Sequence, residues 1–327
     1  MELVDKMLAG DVLSLARLIS IIERDNNDVP AIMKLVYAHP GKAYCIGITG
    51  PAGSGKSTVV DKLTAVIRQQ GFTVGIICAD PTSPFSGGAV LGDRIRMQQH
   101  YLDSGVFIRS MATRGSQGGL PYSVSEVIKL LSAFGKDIIL VETVGVGQTE
   151  LDIMQNTDTT VVILTPEAGD AIQTMKAGLL EIADIFVVNK ADRPGADNLI
   201  VELRTMLELR TAHAYWEVPV LAAEAVNSVG IQELFRQIAR HRKTMEETGL
   251  LAQRRKERRR HEFMEAVEHR LKGELLKLVH NDRELSNYIA RVEAAELSPI
   301  SAADEVVRSG KVLDGWMRQL KQGRSRE

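Results

Sequence analysis

Residues 50–57 read Gly50-Pro51-Ala52-Gly53-Ser54-Gly55-Lys56-Ser57, an uninterrupted G-x-x-x-x-G-K-[ST] pattern. Its flanks fit. Tyr44 to Thr49 is short, apolar and β-prone, and Thr58 to Gln70 has helical character with Gly71 as a stop. The glycines let backbone N–H groups close around a phosphate, and the following helix N-terminus adds partial positive charge. In such a loop the lysine, here Lys56, reaches the β- and γ-phosphates, and the hydroxyl of Ser57 ligates Mg²⁺. Thr58 completes the binding stretch. A strand, this loop and a helix in that order predict an α/β fold.

The rest of the chain agrees. Apolar strand-like runs recur at 43–49, 74–79, 106–111, 137–142, 160–165, 185–189 and 218–222, mostly with helical stretches between them. Their near-continuous hydrophobicity predicts a mostly parallel sheet covered on both faces. Residues 1–40 read as a helical extension, with Leu15, Leu18, Ile19 and Ile22 on one face and Asp11 as a cap. From 245 to 327 strands vanish and charge density rises. That predicts three parts: a helical extension at 1–40, a nucleotide domain at 41–244 and a helical arm at 245–327. Within the arm, the basic run 254–261 reads as a solvated or inter-subunit face. Phe263, Val267, Leu271, Leu275 and Leu278 form a seam at three- to four-residue spacing.

Composition narrows the function. A formal net charge of -2 over 327 residues gives no reason to expect nucleic acid or an anionic membrane as partner. No apolar run approaches the ~18 residues needed to cross a bilayer, and no signal-peptide core opens the chain, so a soluble cytoplasmic protein is expected. The two cysteines, Cys45 and Cys78, fall in predicted core strands and read as reduced small hydrophobes.

Asn189-Lys190-Ala191-Asp192 follows a predicted strand and selects the base. Guanine presents N1–H and an exocyclic amine on one edge, and a carboxylate accepts both; adenine lacks that donor pair. Asp192 therefore specifies GTP over ATP. The stem of Lys190 is suited to cover the base, and the Asn189 amide to tie this loop to the phosphate loop. Glu142 ends another predicted strand, placed to hold Mg²⁺, with Gly145 three residues on to sense the γ-phosphate. The Asp80–Arg94 stretch carries Asp80, a candidate to position the attacking water or hold the metal, and Asp93, a candidate metal ligand.

Taken together, the 51–58 loop, Asp80 to Arg94, Thr113 to Leu120, Glu142 to Gln148 and Asn189 to Asp192 resemble the MeaB/MMAA/ArgK family. These are P-loop GTPases of the dimerising SIMIBI class. The resemblance spans almost the whole chain and implies a GTP-hydrolysing chaperone of an adenosylcobalamin-dependent acyl-CoA mutase, above all methylmalonyl-CoA mutase. It implies Mg²⁺ as cofactor, GTP and GDP as bound nucleotides, and a homodimer joined through the arm. Cofactor delivery from an adenosyltransferase is implied as the gated step, with hydrolysis stimulated by the client. Cobalamin belongs to the client; the chain has no Asp-x-His-x-x-Gly pattern. The family's client-coupling loop matches 166–178, with Asp170, Gln173 and Lys176 as signalling residues and Lys176 approaching the nucleotide. Arg114 reads more as a structural residue than as an arginine finger.

One departure stands out. Where the family has Ser-Ala before a Gly-rich turn, this chain has Glu224-Ala225. The Ala225 N–H remains suited to guanine O6, whereas a carboxylate at Glu224 must turn outward. A nickel-insertion type metallochaperone GTPase is the alternative function. It usually carries a His-rich tract or a Cys/His cluster, and here the seven histidines are scattered. A transport-protein kinase does not account for Asn189 to Asp192.

Overall fold

The structure is a computed structural model that describes residues 2–80, 97, 99–113, 120–121, 123–145, 151–168, 180–209, 215–279 and 283–308. Among the described residues seven strands form one sheet: β1 (Tyr44–Thr49), β2 (Val74–Asp80), β3 (Val106–Ala112), β4 (Ile138–Glu142), β5 (Thr159–Leu164), β6 (Ile185–Asn189) and β7 (Val220–Ala223). All pairs are parallel, in the order β3-β2-β4-β1-β5-β6-β7. The fold is the α/β P-loop architecture expected from the alternation of apolar runs.

Successive residues of the buried strands join two different cores. Cys45, Ile77, Ile139, Val141, Val162 and Val188 point to one face, and Ile46, Ile48, Ile76, Leu140, Val161 and Val187 to the other. The first face is covered by α1 (Glu2–Leu8), α2 (Val12–Glu23), α3 (Val29–Tyr37), α5 (Val124–Ala133), α6 (Leu151–Asn156) and α7 (Ala196–Leu209). The second is covered by α4 (Lys56–Gln69) and α8 (Ile231–Glu247). β1, β2, β4, β5 and β6 are buried throughout, so neither strand alternation nor a polar face shows in their sequences.

In the N-terminal extension, Asp11 caps α2 and accepts a hydrogen bond from the Ser14 N–H at 2.9 Å. Leu15, Leu18, Ile19 and Ile22 are buried and reach the same core as α5. Both cysteines are buried in strands, and burial, first of all, pushes the Cys45 thiol far up, which keeps it protonated and unreactive.

Beyond α8 the chain forms α9 (Leu250–Val279), α10 (Arg283–Glu293) and α11 (Pro299–Arg308). The chain divides into two compact units between Arg258 and Arg259, inside α9. In the second unit Leu285 and Val306 are buried, with Leu275, Tyr288 and Ile289 packed against them. Phe263, Val267 and Leu271 are exposed; the Leu278 side chain lies outside the described residues.

The basic run behaves differently from the expected solvated face. Arg254, Arg255 and Arg258 belong to the first unit and are only partly exposed. Arg254 spans the Asp184 carboxylate with both Nη atoms, at 3.1 and 3.2 Å. Arg255 donates twice to Asp158, at 3.1 and 2.7 Å, and once to the Ala43 carbonyl. Arg258 donates to Asp158 at 3.1 Å and to the Thr157 carbonyl. Asp158 and Asp184 stand immediately before β5 and β6, at the sheet end opposite the phosphate loop. Lys256, Glu257, Arg259 and Arg260 stay exposed, so a helical face, not the whole run, is committed to the sheet.

Candidate functional site

The C-terminal ends of β1, β2, β4, β6 and β7 lie along one edge of the sheet, where open parallel sheets place their ligands. β1 delivers the phosphate loop, β2 ends at Asp80, β4 at Glu142, and β6 at Asn189. Glu224 and Ala225 follow β7. Register sets the distances: Ile48 pairs with Glu142, and Cys78 also pairs with Glu142. Thr49 and Thr143, just past that register, join their buried hydroxyls at 2.9 Å and lock the root of the phosphate loop to the β4 end.

Within the loop, Lys56 Nζ is buried and donates to the Gly50 and Pro51 carbonyls at 2.9 and 3.1 Å. Ser57 Oγ donates to Glu142 Oε1 at 2.7 Å. Ala52 and Gly53 are exposed at the crest, and Thr58 is half-buried in α4. Ser54 Oγ is buried with no hydrogen-bond partner among the described residues, an unusual arrangement at a loop meant to hold a polyanion. Asp80 is buried at the end of β2.

Two glycines are dictated by closeness. Gly145 has φ +76°, and a Cβ there would stand 2.2 Å from Lys56 Nζ and 2.7 Å from the Gly50 carbonyl. Gly55 has φ +88°, and its Cβ would stand 2.4 Å from Asn189 Nδ2.

Asn189 joins three segments. Its Nδ2 donates to the Ser54 carbonyl at 2.8 Å, and its Oδ1 accepts the Ala225 N–H at 3.0 Å. The Ala225 N–H, expected to face guanine O6, is thus directed at Asn189. The Glu224 carboxylate accepts from Asn227 Nδ2 at 3.2 Å, and its backbone N–H is held by the Val229 carbonyl. Lys190 takes the left-handed backbone at φ +56°, and the Ala191 N–H bonds to the Ala223 carbonyl at 3.0 Å. Asp192 is exposed in the turn that follows. Asp93, Arg114, Asp170, Gln173 and Lys176 lie outside the described residues.

Two features escaped the sequence reading. The Thr49–Thr143 pair carries no motif. Glu167, after β5, pairs with Lys190 and Arg193 of the turn after β6; the sequence placed it in the 166–178 loop but gave no sign of these partners.

The donor chemistry suits Mg²⁺ and a nucleotide triphosphate. Ser57 and Glu142 offer hard oxygen atoms side by side, and no cluster of three His, Cys, Asp or Glu suited to a metal occurs among the described residues. Mg²⁺ is typically held by one or two carboxylates together with substrate phosphates and water. No helix among the described residues is long and apolar enough to cross a membrane.

Comparison with known proteins agrees with this geometry. A Pyrococcus abyssi protein with a provisional GTPase designation is 46% identical over 310 residues, covering 94% of this chain and 95% of that protein. The Escherichia coli protein named GTPase ArgK is 29% identical over 307 residues, 91% and 92% of the two chains. A mouse protein named methylmalonic aciduria type A homolog, mitochondrial, is 34% identical over 219 residues, 65% of this chain and 52% of its own. A crystal structure described as LAO/AO transport system kinase shares the fold, with a TM-score of 0.68, 24% identity and coverage of 94% and 95%. Residues 15–279 match the family described as methylmalonyl Co-A mutase-associated GTPase MeaB, and the chain belongs to that family of GTPases.

Proposed function

We propose that the protein hydrolyses GTP as a timer that gates adenosylcobalamin loading of an acyl-CoA mutase, methylmalonyl-CoA mutase first among the candidates, and protects or reactivates that client. The observation that carries the nucleotide part is Asn189, whose amide ties the base loop to the phosphate loop and to Ala225. Recognition of the base and grip on the phosphates are thereby one structure. The family description, which names the mutase, supports the client.

In this reading residues 50–58 wrap the phosphates, and Lys56 turns from its carbonyl partners to the β- and γ-phosphates. Asp192 accepts the two guanine donors while the Lys190 stem covers the base. Asp80 orients the attacking water, and Gly145 reports the γ-phosphate. Ser57 and Glu142, with Asp80 and Asp93, would hold Mg²⁺, which would supply positive charge to offset that of the phosphates. Catalysis is then positioning and charge stabilisation, with Lys176 joining when the client docks. Residues 245–327 serve as the arm of a cytoplasmic homodimer. The exposed Phe263, Val267 and Leu271, at four-residue intervals on α9, supply the apolar stripe such pairing needs. An adenosyltransferase supplies the cofactor to the client.

Binding of a fluorescent GDP analogue tests the site. Asp192→Ala is expected to weaken GDP by roughly 10²-fold, since two hydrogen bonds to a charged acceptor are lost. Unlabelled GTP should displace the probe and ATP should not. Equal displacement by ATP and GTP would remove the guanine assignment.

A further inference from the structure

We propose that Glu167 is a positioning residue of the guanine site, fastening the outer half of the base loop so that Lys190 and Asp192 are preset for the base. This rests on the reading that Asn189 to Asp192 holds guanine.

The inner half of the loop is well anchored. Asn189 is buried and bonded on both sides of its amide, and Ala191 is held by the β7 end. The outer half is not. Lys190 sits in the left-handed region, where a side-chain-bearing residue is disfavoured and needs outside support. Asp192 and Arg193 are exposed, and the turn is closed by a backbone bond from the Arg193 N–H to the Lys190 carbonyl at 3.0 Å.

Glu167 supplies the missing support from a different segment. It lies in the single 3₁₀ turn Pro166–Ala168 that follows β5, the strand neighbouring β6 in the sheet. One carboxylate oxygen stands 3.4 Å from Lys190 Nζ; the other pairs with Arg193 Nη1. The two cations flank Asp192 in sequence, so one carboxylate brackets the base-reading acid. A Cβ placed on Gly195 would lie 3.7 Å from the Pro166 ring, so the two segments are in contact range along the turn as well. Drawing the Lys190 amine to Glu167 leaves its aliphatic stem as the part that covers the base. Pairing Arg193 with Glu167 gives that cation a partner other than Asp192, whose carboxylate the guanine edge requires.

Glu167 is 44% exposed and its partners 30% and 49%, so water and salt screen the pairs. Exposed pairs of this kind are weak, and the expected effect is about three- to fivefold.

The experiment uses the full chain and GDP and GTP themselves. Glu167→Gln should release GDP about three- to fivefold faster and raise KM for GTP by a similar factor, with the single-turnover hydrolysis rate at saturating GTP unchanged. About 0.5 M salt should bring the unaltered protein toward the variant. Arg193→Gln should act in the same direction, and the double variant should be no worse than Glu167→Gln alone, since that change already removes the Arg193 pair. Should Glu167→Gln fail to fold, the Arg193→Gln variant and the salt dependence carry the test. Unchanged GDP release and KM in both variants, with Asp192→Ala still losing GDP, would overturn the role of Glu167 and leave the guanine site standing. GDP binding indifferent to Asp192→Ala would overturn both.

Discussion

Asp158→Ala is expected to destabilise the first unit by about 3 kcal/mol, since removing one member of a buried ion pair strands its partners. In a thermal melt that corresponds to a midpoint lower by roughly 6–12 °C. Asp158 is 1% exposed and accepts from two arginines, and it also receives the Cys45 N–H at 3.0 Å. Alanine removes all of these acceptors at once. Arg255 and Arg258 keep some contact with water, which holds the loss to the lower end of the buried range. Arg260→Ala, on the exposed side of the same helix, should leave the midpoint unchanged.

The same cluster sets an acid limit. Burial pushes the Asp158 carboxyl up, but hydrogen bonds from Arg255 and the charges of Arg258 and Arg255 outweigh it and hold the group below its ordinary 3.8. For Asp184 burial likewise pushes up, and His241 with Arg254 pulls it below the same value. Groups lowered on folding stabilise fully above their unfolded pKa and lose that contribution as pH falls through the folded value. Stability should therefore hold down to about pH 4 and fall below it. The gap between the unaltered protein and Asp158→Asn should close over that window. A gap that persisted well below it would contradict this account of the cluster.

Gly145→Ala is expected to lower kcat/KM for GTP by about 10²-fold while the fold survives, because small displacements of reacting groups carry penalties of that size. The added methyl would meet the Lys56 amine at 2.2 Å and the Gly50 carbonyl at 2.7 Å, and the φ of +76° disfavours any Cβ. The lysine tip can swing aside; the Gly50 backbone cannot do so without moving the phosphate loop. Steady-state GTP hydrolysis with a parallel thermal melt separates lost chemistry from lost folding. Near-normal turnover in a folded variant would show that Gly145 is free to move away from the loop.

The sheet was legible because its five inner strands are buried on both faces, so each reads as a run rather than an alternation; β1, β2 and β6 fall within a residue of their apolar runs. The turns after β1 and β6 could be located because their motifs are local and their spacing rigid. The arginine face of α9 was not. Its partners Asp158 and Asp184 lie some seventy to a hundred positions away, and a basic run looks the same whether it meets solvent or a buried acid. In hindsight the signal was an acid immediately before each of two adjacent strands, matched by arginines at 254, 255 and 258 on one helical face. Glu167 was hidden for a related reason: ion pairs between loops depend on the strand order, which the sequence does not state. The Ala225 N–H was expected at the base and instead bonds to Asn189, a choice made by a side chain 36 positions away.

The most direct test of the central claim is GTP hydrolysis by the purified chain, alone and with adenosylcobalamin-dependent acyl-CoA mutases added one at a time. ATP and the Asp192→Ala variant serve as controls. The account predicts slow basal hydrolysis of GTP only, with at least tenfold stimulation by one mutase, methylmalonyl-CoA mutase first. That factor corresponds to about 1.4 kcal/mol of barrier lowering when the client docks. Normal basal turnover that no mutase changes would contradict the chaperone function and leave a GTPase with another client.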